Sequence, residues 1–445
     1  MLRALESIKH FEDGEVQRIE VSQGFTWSDL SFRTPPFSKK AFDEFVRLYR
    51  DVIIPKDPSH YGTLVFLHVP DDLFFPFSFE REAGTVFDKT LSFALLLEEE
   101  KAKLRVNSDC DDVSEFFCRL ENSGWIKVLK GKGQGISIMP VSGDFGFMSD
   151  ISKSPSLCVN SHFFIMEKDD RDSPYDLYGE GFGLAVKDGC VLQPPLFGRE
   201  ALIADEMGHV SIAFPSVKDL FCEINNKTYR HGSNCVFYER PQYRVTPPSD
   251  GTDIVVIGRR TVAYHDGGNT CIPSSGFVIQ CGKRAEHVFS EVICHGMEQY
   301  CFAVQAGPAV ISNGKLLSGF SSPYFDSSGD KVSYPPVSYP PDYNSDRAPR
   351  MIIGAGYDDN PVIIWAEGES KLGHVKGIDS IGMSLMETAM LAEELGLKNA
   401  VNLDGGGSAL MLNDGMASLH VSGRFKDGSD AERPVPLCIT AGLCY

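Results

Sequence analysis

The residues with the clearest capacity for chemistry lie late in the 445-residue chain, in Asn402-Leu403-Asp404-Gly405-Gly406-Gly407-Ser408. Asp404 follows a short apolar run, Ala400-Val401-Asn402-Leu403, that reads as a buried strand. Carboxyl ends of strands in α/β sheets are where ligands tend to bind. Three consecutive glycines let the backbone turn sharply and approach a ligand, with N–H groups free to face an anion. Ser408 adds a hydroxyl beyond them. A strand-to-turn junction capped by Asp404 would be the purely structural alternative, but an ordinary hairpin turn needs only one or two glycines. The segment therefore reads as a site built around one carboxylate.

Other groups are candidates on residue type. Glu387 would be a second carboxylate, and Ser384-x-x-Glu387 is also a capping box, in which Glu387 serves its own helix terminus. His162 could act as a general base, although a histidine flanked by Phe163 and Phe164 commonly packs and hydrogen-bonds internally. Asn160, Gln305 and Asn402 offer amides to sugar hydroxyls or to backbone groups. Arg347 and Arg350 could fork onto a phosphate, and Arg433 could line the site or pair at the surface. Asp358-Asp359-Asn360 lacks the further spaced ligands of a calcium loop and reads as a turn. No cofactor or metal site is read from these residues, and the sequence leaves any metal requirement open.

The elements that must position these groups change texture along the chain. In residues 1–130, Phe42, Phe45, Val46 and Tyr49 fall at helical spacing, Thr63–Val69 reads as a strand, and Val113, Phe116, Phe117 and Leu120 suggest a short helix. Gly131-x-Gly133-x-Gly135 has the wrong spacing for a dinucleotide fingerprint and reads as a linker. Residues 131–445 are rich in hairpin signals: Lys187-Asp188-Gly189, Glu206-Met207-Gly208, Asp266-Gly267-Gly268, Ser312-Asn313-Gly314 and Asp358-Asp359-Asn360. A long Pro/Ser/Tyr/Asp stretch, 318–346, with Ser333-Tyr334-Pro335-Pro336 and Ser338-Tyr339-Pro340-Pro341, reads as a binding loop or a surface tether. Ser384 opens a helix with Leu385, Ala389, Ala392 and Leu395 on its apolar face, and Gly396 ends it. Strand, helix and strand from Val362–Trp365 to Ala400–Leu403 predict a βαβ crossover with a parallel pair. The expected fold is mixed α+β: a hairpin-rich mixed sheet with at least one such crossover, preceded by a smaller α/β region.

Composition narrows the function classes. A net charge of −19 argues against a phosphate-backbone binder and against anionic membranes, leaving room for one small anionic substrate. The best apolar run, Leu91–Leu97, is far too short to span a bilayer. Twelve cysteines without CxxC pairs and a start lacking a long apolar core lead to the expectation of a cytoplasmic protein with reduced thiols. Asn226-Lys227-Thr228 matches a glycosylation sequon, which arises often by chance.

Several of these segments together resemble the phosphodiester glycosidase family. The resemblance rests on Asn402–Ser408 after a helix opened by Gly382-Met383-Ser384-Leu385, on Arg347-Ala348-Pro349-Arg350 before Ile353-Gly354, on Gln305-Ala306-Gly307-Pro308, and on Asn160-Ser161-His162-Phe163-Phe164, all in the family's order across roughly residues 135–445. Departures are Ser161 and His162 in place of small residues, Met351 in place of a small polar one, and Ala366-Glu367-Gly368-Glu369 where an Asp-Gly-Arg-like run is frequent. The resemblance implies a catalytic domain over 131–445, behind an N-terminal region, 1–130, of separate role. It implies hydrolysis of a glycosidic bond, most naturally a sugar 1-phosphodiester. Asp404, Glu387 and His162 would be its catalytic groups. Asn160, Gln305, Arg347, Arg350, Asn402, Gly405, Gly406 and Ser408 would bind substrate, with the two arginines on the departing phosphate. The partner would be a carbohydrate or sugar phosphate, with neither nucleic acid nor membrane. The alternatives are a glycosidase acting on a non-phosphorylated glycan and a non-catalytic carbohydrate-binding protein.

Overall fold

The computed structural model describes residues 3–4, 14–56, 58–68, 77–81, 86–88, 104–108, 125–134, 136–151, 155–167, 170–317, 324–332, 346–370 and 373–442. The helix expected around 113–120 and most of the 318–346 stretch lie outside these residues.

The apolar run Met351-Ile352-Ile353 belongs to Arg350–Gly356, an inner strand of a seven-stranded sheet. The sheet order is Arg3–Ala4, Ile19–Gln23, Pro361–Ala366, Arg350–Gly356, Leu397–Asn402, Ala309–Ser312 and Lys315–Leu316. Every neighbouring pair is antiparallel. Because side chains alternate across a strand, Met351, Ile353, Ile363, Trp365 and Val401 enter the largest core cluster on one face. Ile352, Ile364 and Ala400 meet Leu385, Ala389 and Ala392 of the Leu385–Glu394 helix on the other. Burial on both faces explains why these strands read as unbroken apolar runs rather than as alternating ones.

The helix is capped as its sequence requires. Ser384 Oγ accepts from the Glu387 N–H at 3.2 Å and Glu387 accepts from the Ser384 N–H at 2.8 Å. Gly396, at φ +77°, ends it. Leu395, at the C-cap, is exposed rather than on the buried face. The direct parallel pair of a βαβ crossover is not formed: Arg350–Gly356 lies between Pro361–Ala366 and Leu397–Asn402 and pairs antiparallel with both. The hairpin linking Arg350–Gly356 to Pro361–Ala366 thus occupies the place where the two strands would have met. Among the described strands, the parallel pair joins Thr63–Leu67 to Ile136–Pro140.

Four of the five expected turns close hairpins, with Asp188, Asn313 and Asp359 at positive φ and Gly208 at +84°. Asp266-Gly267-Gly268 does not, since the following strand, Gly276–Cys281, pairs with Thr252–Ile257 instead of Arg260–Asp266. Asn225 and Asn226, at φ 49° and 60°, make the turn between Phe221–Ile224 and Lys227–Arg230. The sequon asparagine is therefore a hairpin residue.

A second sheet orders Ser31–Arg33, Cys438–Ala441, Leu157–Asn160, Met411–Asn413 and Met416–Ala417. It carries Asn160 at one strand end, and packing of its apolar residues with those of the seven-stranded sheet forms the main core. The Lys39–Leu48 helix buries Phe42, Phe45 and Val46, with Tyr49 just beyond its end, in that same core. Ile19–Gln23 and Ser31–Arg33 place early residues within both sheets.

Candidate active site

Asp404 stands just past the Leu397–Asn402 strand, where its N–H donates to the Ser161 carbonyl at 2.9 Å. Asn160 clamps the same turn. Its Nδ2 donates to the Asp404 carbonyl at 2.6 Å, and its Oδ1 accepts from the Leu410 N–H at 3.1 Å. The Asn160 amide therefore fixes the backbone that carries the carboxylate.

The glycines have separate reasons. A Cβ on Gly405 would lie 2.6 Å from the Pro349 carbonyl, and one on Gly407 would lie 2.5 Å from Arg433 Nη2. Gly406 adopts φ +56°. Residues Gly406–Ser408 then form a short 3-10 turn. Arg433, half-buried, rests against Gly407 and donates from Nη1 to Ser408 Oγ at 3.3 Å.

Asp404 is buried and its Oδ2 has no hydrogen-bond partner. Burial disfavours its charged form and pushes its pKa up to about 7, against the pull of Ser408, Arg433 and the Gly405 N–H. A carboxyl with such a value can exchange a proton near neutral pH.

The remaining candidates occupy distinct places. Arg350 is buried, and it donates to the carbonyls of Met383 at 2.9 Å and Asp346 at 2.8 Å. Its guanidinium thus ties its strand to the loop opening the Leu385–Glu394 helix. Arg347 pairs with Glu387 Oε1, while Glu387 Oε2 caps the helix. Gln305 is wholly buried and bridges backbone, accepting from Leu184 and Leu196 and donating to Leu196 and Arg199. Asn402 is buried beside Gly307 with Oδ1 unpartnered.

His162 is buried between Ser161 Oγ, 2.7 Å from Nδ1, and the Leu184 carbonyl, 3.1 Å from Nε2. A carbonyl only accepts, so Nε2 carries the proton. Burial lowers the His162 pKa to about 4, which leaves the ring neutral at pH 7. Glu367 is also internal, held by Arg18, Ser380 and the His420 N–H. His374 pairs with Glu15.

Asn160, Asp404, the glycine turn, Ser408 and Arg433 thus form one connected group; Arg347 and Glu387 form another at the helix start. Arg433 was the cation hardest to place from sequence, because nothing in Arg433-Pro434-Val435-Pro436 signals contact with a glycine some 25 residues earlier. Its only signal is Pro434, which restricts the backbone of the arginine directly before it. No cluster of metal-ligating side chains occurs among the described residues.

Comparison with known proteins gives the following. Residues 248–441 match the model of the phosphodiester glycosidase family. No curated protein matches the chain. Among solved structures, a hypothetical protein from Synechocystis is 14% identical at a TM-score of 0.41, covering 99% of this chain and 61% of that one. This chain therefore spans less than two thirds of that protein. A Burkholderia pseudomallei protein described as exported is 14% identical at a TM-score of 0.40, covering 100% and 97%. The zebrafish N-acetylglucosamine-1-phosphodiester alpha-N-acetylglucosaminidase catalytic domain, auto-inhibited by its pro-peptide, is 11% identical at 0.31, covering 67% of each. The expected cytoplasmic location is corrected by the exported neighbour; scattered cysteines and a weakly apolar start are poor guides to compartment. The matched span takes in Gln305, Arg347, Arg350, Glu387, Asn402–Ser408 and Arg433, and begins after Asn160 and His162. The family resemblance read from the sequence thus holds over residues 248–441, which carry a phosphodiester glycosidase-like enzyme domain.

Proposed function

We propose that this chain hydrolyses a sugar 1-phosphodiester, with Asp404 as the principal carboxylate and Arg433 as the cation that receives the departing phosphate. The observation that carries the reading is the unpartnered Asp404 Oδ2 beside a glycine turn on which a guanidinium rests. In the reaction the bond from the anomeric carbon to the phosphate oxygen breaks, and a water oxygen bonds to that carbon. The water's proton passes to the Asp404 carboxylate, and the phosphate leaves as a monoester that keeps the electron pair of the broken bond. Asp404 stabilises the positive charge at the anomeric carbon and accepts that proton. Arg433 meets the growing negative charge of the leaving group.

Arg433 takes here the role that the sequence assigns to Arg350 and Arg347, because those two are engaged by backbone carbonyls and by Glu387. They enter as positioning residues, as does Asn160. Gln305 and His162 support the surrounding backbone, and Asn402 keeps an amide oxygen for a substrate hydroxyl. The catalytic unit is residues 131–445, completed at its sheet edge by Ile19–Gln23.

A second reading is favoured by the enclosure of Asp404: a carboxyl shut off from solvent could serve the fold alone, in a protein that binds glycans without cleaving them. Turnover of an N-acetylglucosamine 1-phosphodiester, measured beside an aryl N-acetylglucosaminide, separates these. Preference for the phosphodiester, abolished by Asp404→Asn in folded protein, is expected. Preference for the aryl glycoside would move the substrate to unphosphorylated glycans. Glycan binding without turnover, indifferent to Asp404→Asn, would favour the second reading.

A further inference from the structure

A cavity of about 360 Å³, not lined by Asp404, lies between the loop at Ile257–Arg260 and the segments around Asp144, Glu180, Gln193 and Pro436. Its walls are apolar at Phe32, Leu192, Pro194, Ile257 and Pro436. Set among them are polar groups. Gln193 Oε1 is buried without a hydrogen-bond partner, and Ser275 Oγ has none besides the Glu180 carboxyl. An unsatisfied buried polar atom costs roughly 1–3 kcal/mol, so a Gln193 amide left short of a partner at the cavity wall favours a ligand that completes it.

The third polar group is Glu180, which is buried. One carboxylate oxygen lies 3.4 Å from the Leu177 N–H. Burial and the neighbouring Asp176 push its pKa up to about 8, against the pull of Arg260 and Ser275, so near neutral pH it presents a hydroxyl rather than a charge. The two arginines of the lining do not make the cavity an anion site. Arg260 pairs with Asp144 at 2.7 Å, and Arg259 pairs with Glu291. The cavity therefore combines hydrogen-bonding groups without net charge, paired ions and an apolar wall. That is the lining that recognises a ring with hydroxyls at its edge and C–H groups on its face.

We propose that this cavity is a second binding site, for a neutral monosaccharide-sized polyhydroxylated ring, held by Gln193, Ser275 and Glu180. The proposal does not depend on Asp404 being catalytic. The segment 433–437 joins the two places, with Arg433 against Gly407 and Pro436 and Leu437 in the cavity wall, so the second site could hold another sugar unit of a longer glycan.

The test is calorimetric titration of the full chain with methyl glucopyranoside, N-acetylglucosamine and, separately, inorganic phosphate. Saturable binding of at least one neutral sugar is expected, weakened tenfold or more by Gln193→Leu and by Leu192→Trp, which fills the space. Circular dichroism and melting would confirm that both variants fold, and Asp404→Asn should leave the affinity unchanged. Three results would overturn the proposal: no saturable sugar binding, sugar binding untouched by both cavity variants, or phosphate binding that disappears in them. Loss of sugar binding in Asp404→Asn would assign the sugar to the Asp404 site instead. Loss of turnover in that variant with sugar binding intact bears only on the catalytic reading.

Discussion

Replacing Asp404 by Asn tests the central electrostatic feature without altering its shape. Burial keeps Asp404 protonated below about pH 7, its pKa moved there from an ordinary 3.8. Each pKa step corresponds to about 1.4 kcal/mol, so the buried site favours the neutral form by about 4 kcal/mol. The sign follows from linkage. Between pH 4 and 7 the folded state holds a proton on Asp404 that the unfolded state has released, so this group's contribution to stability falls as pH rises through that window. Asn mimics the neutral form at every pH. The variant should match the wild type at pH 4 and exceed it by about 4 kcal/mol at pH 8. If this chain melts as one unit, that is a gain of about 4 °C in Tm. The other buried acids with raised values, Glu180, Glu239, Asp176 and Glu20 among them, are present in both proteins and cancel in the difference. The assay is calorimetric melting of both proteins across that pH range. A Tm difference that stays constant from pH 4 to pH 8 would refute the reasoning, because Asp404 would then titrate alike in folded and unfolded chains.

Other outcomes follow from the same geometry. Arg433→Ala should lower kcat on a sugar phosphodiester by about 100-fold or more, with a smaller loss on an aryl glycoside; equal losses would remove Arg433 from the leaving group. Gly407→Ala should reproduce that loss with little change in Tm, since the new methyl would meet the flexible end of Arg433 at 2.5 Å. Glu387→Gln keeps a capping acceptor while breaking the Arg347 pair, so kcat should fall less than tenfold; a loss as deep as that of Asp404→Asn would restore a two-carboxylate mechanism. Asn160→Ala removes both hydrogen bonds that clamp the Asp404 turn, and should cost about 2–4 kcal/mol by thermal melting.

Local chemistry in this chain was readable where it is set by adjacent residues. Ser384 and Glu387 announce their capping box because both partners sit within one turn. Asp188, Asn313 and Asp359 announce their hairpins because tight turns demand positive φ. What pairs with what was less legible. The apolar runs at Pro361–Ala366 and Leu397–Asn402 fit a parallel pair or two edges of a third strand equally well, and only register in the folded sheet decides that Arg350–Gly356 separates them. The same limit governs the side chains. Gln305 and Arg350 are residue types that bind ligands, yet each meets backbone carbonyls from segments far away in sequence. Periodicity does not encode such partners.

The contrast between the two arginines bears on the chemistry itself. A buried guanidinium whose N–H groups already meet carbonyls, like that of Arg350, would have to break those bonds to receive a phosphate, at roughly 1–3 kcal/mol for each carbonyl left unpaired. Arg433 starts from a single 3.3 Å contact to a hydroxyl and a Nε without a partner. Engaging an anion would add bonds at Arg433 with few to break, and its distance from Asp404 is set by the glycine turn on which it rests. A phosphate monoester leaves readily once its charge is met, so one well-placed cation and one carboxylate suffice in principle. A sugar alkoxide would need a second tuned acid beside Asp404, and Glu387, with its two oxygens committed to the helix cap and to Arg347, is poorly disposed to supply it. The electrostatics of the Asp404 group therefore fit a phosphorylated leaving group better than a plain glycan.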